Sequence, residues 1–179
     1  MSRLPRVGGE VRAVLGPGVV SCDMERGLDH GAWSVLHHMY PMAYTPVIQI
    51  SLDVSLAPDE RTEMGKRLSP LRDEGILILG SRNVVHNLGL VDFDNEQAPP
   101  YTWAQSFDSW VAGCVEPGHL EELTRYRTVA SFSELAAPTD EHYILLLYIA
   151  GLWRSDDVLA TVVEGFQNAS LSMRCIQVG

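Results

Sequence analysis

Apolar residues alternate along the chain between short uninterrupted runs and helical stripes. Residues 47–52 form a β-branched run, which predicts a strand. Residues 58–74 carry apolar positions at helical spacing, with Pro58 in the first turn and Gly75 after the end, which predicts a helix. Residues 76–79 are apolar throughout, as is typical of a strand buried on both faces. Strand, helix and strand with short joints form a βαβ unit, so we expect parallel pairing.

The remaining patterns complete a single α/β domain over residues 1–179. Capping boxes that begin at Thr102 and Ser131 mark the starts of two helices, and Thr139 can cap a third helix with a buried apolar run. The helices that follow Thr102 and Thr139 are expected at residues 103–114 and 140–150. Further helices are expected at residues 10–15, 32–39 and 120–126, and further strands at residues 19–22, 158–163 and 171–178. We therefore predict an α/β fold with a mixed, partly parallel sheet flanked by helices.

The composition restricts the classes of partner. Of the 179 residues, 46% are hydrophobic and 20% are charged, which is ordinary for a globular protein. The formal charge of -10 disfavours nucleic acid and anionic membranes as partners, because both require a basic surface. The three cysteines lack Cys-x-x-Cys spacing, and the chain shows no secretion signal and no apolar run of membrane-spanning length. We expect a cytoplasmic protein with reduced thiols.

Three histidines stand at predicted element boundaries beside turn-forming residues: His30, His86 and His142. Imidazole is the commonest protein metal ligand and the usual acid or base near neutral pH. His86 follows the predicted strand at residues 76–79, at the end where ligand crevices form in α/β sheets. His142 is expected in the first turn of its helix, where the positive helix terminus favours the neutral ring. Each could instead be structural, capping a turn or bonding a backbone carbonyl, so the spacing alone leaves both roles open.

The other histidines and the common catalytic motifs give less support for a function. His37 and His38 are adjacent on a short helix and point in different directions, and His119 follows a Pro-Gly turn. We interpret all three as structural or exposed. The chain has no P-loop, no Gly-x-Ser-x-Gly, no Gly-x-Gly-x-x-Gly and no His-Glu-x-x-His. The cysteines have no base nearby in the sequence, so a thiol nucleophile has no support.

Five segments that include these three boundary histidines and their neighbours resemble the signature segments of one family. They are residues 26–36, 80–88, 98–103, 138–143 and 170–173. The family is the class III extradiol ring-cleavage dioxygenases, in the DOPA 4,5-dioxygenase-like (LigB-type) branch. The resemblance runs in unbroken order from near Val11 to the last residue, and it implies the α/β fold of that family.

The resemblance also implies a chemistry and assigns roles. A mononuclear non-haem iron(II), or zinc(II) in its place, binds a catechol and O2, and the ring is opened beside the diol. By position, His142 resembles the third metal ligand, His86 the acid/base that takes and returns a catechol proton, and His30 a histidine facing the substrate. Arg82 and Asn83 are candidate substrate contacts, although for Arg82 we slightly favour the alternative of a solvated turn residue. A metal lowers the pKa of a bound hydroxyl, and a poised imidazole moves the proton.

The chain departs from the family pattern in two respects. The family carries its other two histidine ligands ahead of the point where this chain begins, and residues 1–21 contain no His, Asp or Cys. We therefore expect the C-terminal two-thirds of the family domain, incomplete at the N-terminus, with one imidazole ligand where facial sites need three protein ligands. Arg82 and Leu145 stand where the family usually has glycine and proline.

Three hypotheses for function follow. In the first, the chain is an extradiol dioxygenase of catecholic substrates whose missing segment comes from another chain. In the second, it is a catalytically silent homologue that acts as a binding or interaction subunit. In the third, it performs a different metal-dependent reaction, because a fold does not determine its chemistry. Missing strands would leave an open apolar sheet edge, so we expect a homo-oligomer or a second chain that supplies the segment.

Overall fold

The computed structural model describes residues 4–115 and 119–179. The α-helices are α1 (Leu4–Leu15), α2 (His30–Met39), α3 (Pro58–Leu68), α4 (Thr102–Val115), α5 (Leu120–Thr124), α6 (Tyr126–Val129), α7 (Ser133–Ala136) and α8 (Ile144–Leu152). Short 3-10 helices occupy Ser69–Arg72 and Leu88–Leu90, and the strands are β1 (Leu159–Val163), β2 (Phe166–Gln167), β3 (Leu171–Ser172) and β4 (Cys175–Val178). None of the described helices is long and apolar enough to cross a membrane.

The strands form two small antiparallel sheets, in which β1 pairs with β4 and β2 pairs with β3. The described residues contain no parallel pair, so the predicted partly parallel sheet is not confirmed. The strands predicted at residues 19–22, 47–52 and 76–79 do not form, and the run predicted at 171–178 is divided between β3 and β4. A β-branched, apolar segment fits a pleated surface, and its sequence pattern reports that preference. A strand forms only if a neighbouring segment shares its backbone hydrogen bonds.

Helix α3 and its continuation follow the predicted pattern. Glu60 accepts a hydrogen bond from the backbone N–H of Ala57 at 2.7 Å, which satisfies a donor at the helix start. The helix passes into the 3-10 turn Ser69–Arg72, and Gly75 ends the segment with a φ of 73°. That φ lies in the left-handed region that glycine adopts without a steric penalty.

Two clusters of buried apolar side chains hold the helices together. The larger cluster surrounds α4, where Phe107 and Val111 are fully buried and the ring of Phe107 packs edge-on against Tyr126 and Tyr143. The smaller cluster, which we call the second core, joins α1, α3 and α8. Its buried members are Val11, Leu15, Leu68, Leu71 and Leu152.

Helices α3 and α8 touch where each has a glycine. A Cβ atom on Gly65 would lie 2.1 Å from the carbonyl oxygen of Tyr148, and a Cβ atom on Gly151 would lie 2.0 Å from the carbonyl oxygen of Thr62. The two backbones are therefore in direct contact, and a side chain at either glycine would push the helices apart.

The start of α8 differs from its predicted position. Residues 140–143 form a turn, and the helix begins only at Ile144. The carboxylate of Asp140 accepts a hydrogen bond from the hydroxyl of Tyr126 at 2.6 Å, a contact with another helix that sequence spacing does not reveal. The placement of His142 in the first turn of the helix is therefore wrong, because this histidine lies in the preceding turn.

Candidate active site

His86 and His142 lie in contact at the centre of the candidate site. Their rings are stacked, with centroids 3.4 Å apart and planes inclined by 12°. The backbone N–H of His86 donates to the carbonyl of Ala136 at 2.8 Å, and His86 forms an isolated antiparallel bridge with Leu171. Two segments far apart in the sequence therefore bring their imidazoles to one place.

Asn83 connects His142 to strand β3. Its backbone N–H donates to Nδ1 of His142 at 3.5 Å, the long limit of a hydrogen bond, and its Nδ2 donates to the carbonyl of Ser172 at 2.7 Å. The buried hydroxyl of Ser172 donates to Oδ1 of Asp108 at 2.6 Å, and Arg174 donates to Oδ2 of the same carboxylate at 2.6 Å. This buried network holds the backbone beside the imidazole pair, as satisfied polar networks do.

Burial lowers the pKa of both imidazoles. The pKa of His142 falls to about 4, first because the ring is buried and then because His86 and Arg82 disfavour a further positive charge. The pKa of His86 is also lowered, chiefly by burial, while the nearby charge of Glu141 acts in the opposite direction. Both rings are therefore neutral at pH 7, and each can accept a proton or bind a cation.

Arg82 lies beside the imidazole pair and faces the start of α2. Its Nη2 is 3.5 Å from Oδ2 of Asp29, and its side chain is only 25% exposed. Its Nη1 also donates to the carbonyl of Ser81 at 3.0 Å. A Cβ atom on Gly31 would lie 2.0 Å from that Nη1, so the glycine leaves the space that the guanidinium occupies. The side chain is mostly shielded from solvent.

His30 is the first residue of α2 and is exposed. Asp29 caps this helix by accepting a hydrogen bond from the backbone N–H of Ala32 at 2.9 Å, and that bond lowers the pKa of the Asp29 carboxyl. The charge of His30 is among the groups that lower the pKa of His142. His30 therefore lies within electrostatic reach of the imidazole pair.

The remaining histidines do not join this pair. His37 and His38 are exposed at the end of α2, where their ring centroids are 5.3 Å apart, and His119 is exposed just before α5. The exposed positions agree with the interpretation of these three residues as structural or exposed.

Sequence reasoning missed two acidic residues that organise the site. Asp29 holds Arg82 and caps α2, and its signal was present as an Asp directly before a helix. Asp108 is buried within the apolar stripe of α4, where an acidic residue nearly always has a partner. The partner, Arg174, could not be identified from spacing.

The described residues do not complete a metal site. They contain no group of three or more His, Cys, Asp or Glu side chains that could hold a metal ion. Facial sites for non-haem iron need three protein ligands. The neutral imidazoles of His86 and His142 suit a cation chemically, but they supply only part of such a donor set.

Comparison with known proteins identifies the class of protein. Residues 11–173 match the family described as the catalytic LigB subunit of aromatic ring-opening dioxygenase. This chain belongs to that family. The extradiol dioxygenases of the family are metal-dependent.

Several relatives of known sequence are named as extradiol dioxygenases. The 4,5-DOPA dioxygenase extradiol of Escherichia coli (strain K12) is 40% identical over 179 residues, with 98% of this chain and 65% of the relative covered. The 4,5-DOPA dioxygenase extradiol of Beta vulgaris is 42% identical over 125 residues, with 69% of this chain and 46% of the relative covered. The chain thus spans less than two thirds of the length of these curated relatives.

A solved structure confirms the family fold. The crystal structure of the uncharacterized protein JW3007 from Escherichia coli K12 matches with a TM-score of 0.89 at 40% identity. The match covers 98% of this chain and 72% of that chain.

Proposed function

We propose that this chain is part of an extradiol dioxygenase, an enzyme that opens a catechol ring with O2. In this proposal the chain supplies the acid/base residue and one of the metal ligands. The single observation that carries the proposal is the stack of two neutral imidazoles, His86 and His142, in a chain of the aromatic ring-opening dioxygenase family. The names of the relatives, 4,5-DOPA dioxygenase extradiol, support a catechol as the substrate.

His86 is the proposed proton carrier. Burial lowers its pKa, so at neutral pH its ring is unprotonated and can take a proton from a catechol hydroxyl. Once protonated, the ring would stand next to His142 and near the positive charge of Arg82. Those neighbours disfavour the imidazolium and favour return of the proton to the ring-opened product.

His142 is the proposed protein ligand of a mononuclear metal, iron(II) with zinc(II) as the alternative. Its lowered pKa keeps the ring neutral, which ligation requires. The other ligands must come from polypeptide outside the described residues, because those residues form no three-ligand group. His30, exposed at the start of α2, is proposed to face the substrate at the rim of the site.

Arg82 and Asn83 are the proposed substrate contacts. Arg82 is mostly buried beside the imidazole pair, and its ion-pair partner among the described residues, Asp29, is 3.5 Å away, so the guanidinium can turn toward a substrate carboxylate. Arg82→Gln should raise KM for DOPA by about 10-fold or more, since hydrogen bonds to charged groups contribute about 1.5–3 kcal/mol. Dopamine has the same catechol ring without the carboxylate, and its KM should change little.

Ring opening by the completed site tests the function. The chain would be mixed anaerobically with iron(II) and with a purified fragment that comprises the part of the E. coli relative not spanned by this chain. DOPA and O2 should then give a yellow ring-opened product, which is absent without the fragment and lost in His86→Ala. His119→Ala, at an exposed histidine, is the control and should retain the colour. Equal colour from His86→Ala and the unaltered chain would refute the assignment.

A second function, a catalytically silent binding or interaction subunit, is favoured by one observation. No three-ligand group exists among the described residues. Metal titration in the presence of the same fragment separates the two functions. Binding of iron(II) that is weakened by His142→Ala supports the dioxygenase, whereas no metal binding by the mixture supports the silent subunit.

We further propose that the protein works in the reducing cytoplasm. Cys22, Cys114 and Cys175 are all free, with no disulfide between them. Free thiols are stable in that compartment. Alkylation of the protein in freshly lysed cells should modify the two exposed thiols without prior reduction.

A further inference from the structure

A large apolar cavity lies between two of the segments that were predicted as strands. Its volume is about 810 Å³, and residues 45–52 and 74–82 form two of its walls. Side chains of α1, α3 and α8, including Val11, Met64 and Ile149, form the base. Ser81 and Arg82 also line the cavity, which therefore reaches the edge of the candidate active site.

The two walls carry backbone groups that do not pair with the backbone of any other described residue. No backbone N–H or carbonyl of residues 46–52 or 77–80 makes a hydrogen bond with another backbone group in the described part of the chain. Neither segment contains a turn or a bend. These residues are exposed or partly buried, so water can satisfy their backbone groups in the free chain, and both segments can pair with an added strand as open sheet edges do.

Residues 76–79 also have the side-chain alternation of a strand. Ile76 and Ile78 pack against the second core, whereas Leu77 and Leu79 are 62% and 43% exposed. A period of two places alternate side chains on opposite faces, as in a β-strand. The segment therefore has the geometry of a strand, with one apolar face covered and the other open.

We propose that this cavity is a docking slot for one extended, mainly apolar polypeptide strand, which pairs with residues 46–52 on one side and residues 76–80 on the other. The occupant is a strand from the part of the family polypeptide that this chain does not span. In the E. coli relative, 35% of the length lies outside the match (100 − 65), and in the matching crystal structure 28% of the chain lies outside it (100 − 72). A β-strand satisfies donors and acceptors on both of its edges at once, whereas a helix satisfies its own backbone groups internally.

A second copy of this chain fits the slot less well. The apolar run at residues 76–79 would have to leave the second core in order to insert into a partner, and Ile76 and Ile78 would lose their packing. Burial of such side chains contributes about 1.5–3 kcal/mol each, so this exchange is unfavourable.

The slot also explains how the active site could be completed, and in this respect the inference rests on the proposed function. Arg82 lines the slot, and Asn83, the next residue, contacts His142. The end of a docked strand would therefore lie next to the imidazole pair. Side chains at that end are in position to supply the donors that the described residues lack.

Hydrogen exchange of the whole 179-residue chain tests the slot without using activity. The probe is the purified fragment of the E. coli 4,5-DOPA dioxygenase extradiol that this chain does not span. Amides of residues 47–52 and 77–80 should exchange fast in the free chain and at least about tenfold more slowly with the fragment, because strand pairing protects them. Amides of β1 and β4, which are already paired, should be unaffected.

A charge placed in the slot should weaken binding of the fragment. Leu77→Lys should raise its Kd by about tenfold or more, because docking would bury an unpaired ammonium group. Leu77 is 62% exposed, so the free chain should fold normally, which circular dichroism would verify. Leu79→Lys is a second variant of the same kind. Val162→Lys, at a 56% exposed position on β1, is the matched control and should bind with unchanged Kd.

Several outcomes would overturn the docking slot. They are absence of fragment binding, binding without protection of the two walls, and equal binding by Leu77→Lys and Val162→Lys. Protection that appears in the chain alone as its concentration rises, with a dimer in light scattering, would assign the slot to a second copy. If the fragment docks and protects both walls but no ring opening follows with iron(II), the slot stands and the proposed function fails.

Discussion

The contact between α3 and α8 makes a sharp prediction about Gly151. In Gly151→Ala, the new Cβ atom would lie 2.0 Å from the carbonyl oxygen of Thr62, 2.9 Å from the backbone N of Lys66 and 3.0 Å from Cα of Gly65. All three are backbone atoms, which cannot move aside as a flexible side chain can. Because ordinary contacts of this kind begin at 3.4 Å, the two helices must separate by up to 1.4 Å (3.4 − 2.0).

The magnitude follows from two opposing effects. Overpacking of a close-packed interface costs about 1–3 kcal/mol, and a gap of ~0.5–1 Å already removes a quarter to a half of the dispersion attraction between facing atoms. Replacing glycine by alanine within a helix stabilises the folded protein by up to about 1 kcal/mol through helix propensity. We expect a net loss of about 2 kcal/mol in the free energy of unfolding, or a Tm lowered by about 4–8 °C for a chain of this size.

Denaturation by urea and by heat measures this loss. The matched control is Gly113→Ala in α4, where an added Cβ atom meets nothing within 4 Å. That substitution should stabilise the protein slightly, by about 0.5–1 kcal/mol, through helix propensity alone. If Gly151→Ala were as stable as Gly113→Ala, the direct backbone contact between α3 and α8 would be refuted.

Three further predictions concern buried charges and thiols. Asp108→Asn should lower the free energy of unfolding by about 3 kcal/mol, because it leaves the buried guanidinium of Arg174 with only the exposed Glu164 as counter-charge; urea denaturation measures this. Asp157→Asn should destabilise at pH 7, because hydrogen bonds from Arg72 lower the pKa of Asp157. The contribution of this carboxylate is present above its unfolded pKa of about 3.9 and is lost as pH falls through the lower folded pKa, so the two stability curves should converge in acid. Burial raises the pKa of the Cys114 thiol to about 11, so it should react slowest with a thiol reagent at pH 8.

Each of these predictions has a control and a contrary result. Glu164 also pairs with Arg174 but is 66% exposed, so Glu164→Gln should cost far less than loss of the buried carboxylate. Curves for Asp157→Asn that run parallel to those of the unaltered protein down to pH 2 would contradict the pH prediction. Cys22 and Cys175 are exposed and should react quickly, and three thiols reacting at one rate would contradict the burial of Cys114.

The helices could largely be predicted from the sequence because their signals are local. The segment from Pro58 to Gly75 has a proline at the start, an apolar stripe and a glycine at the end, and all three act within a few residues. The start of α8 differs from the prediction, because residues 140–143 form a turn in which Asp140 accepts a hydrogen bond from Tyr126 of another helix. Contacts of that kind depend on packing, which spacing along the chain does not encode.

The strands were predicted less well for a related physical reason. The apolar run at residues 76–79 has strand-like alternation in the structure, yet it pairs with no strand among residues 4–115 and 119–179. Pairing is a property of two segments, and the pattern of one segment reports only its own propensity. The parallel sheet expected from the βαβ unit therefore stays a prediction, and it depends on whether a strand occupies the slot.

The sequence by itself indicated the candidate residues for chemistry: histidines beside turn-forming residues, in segments whose order resembles one family and matches it over residues 11–173. Tertiary structure alone decided that His86 and His142 stack at 3.4 Å, that Asp29 holds Arg82, and that burial keeps both rings neutral. Residue types and local periodicity can be read from the sequence. The distance between two side chains and the burial of their rings arise only when distant segments pack together.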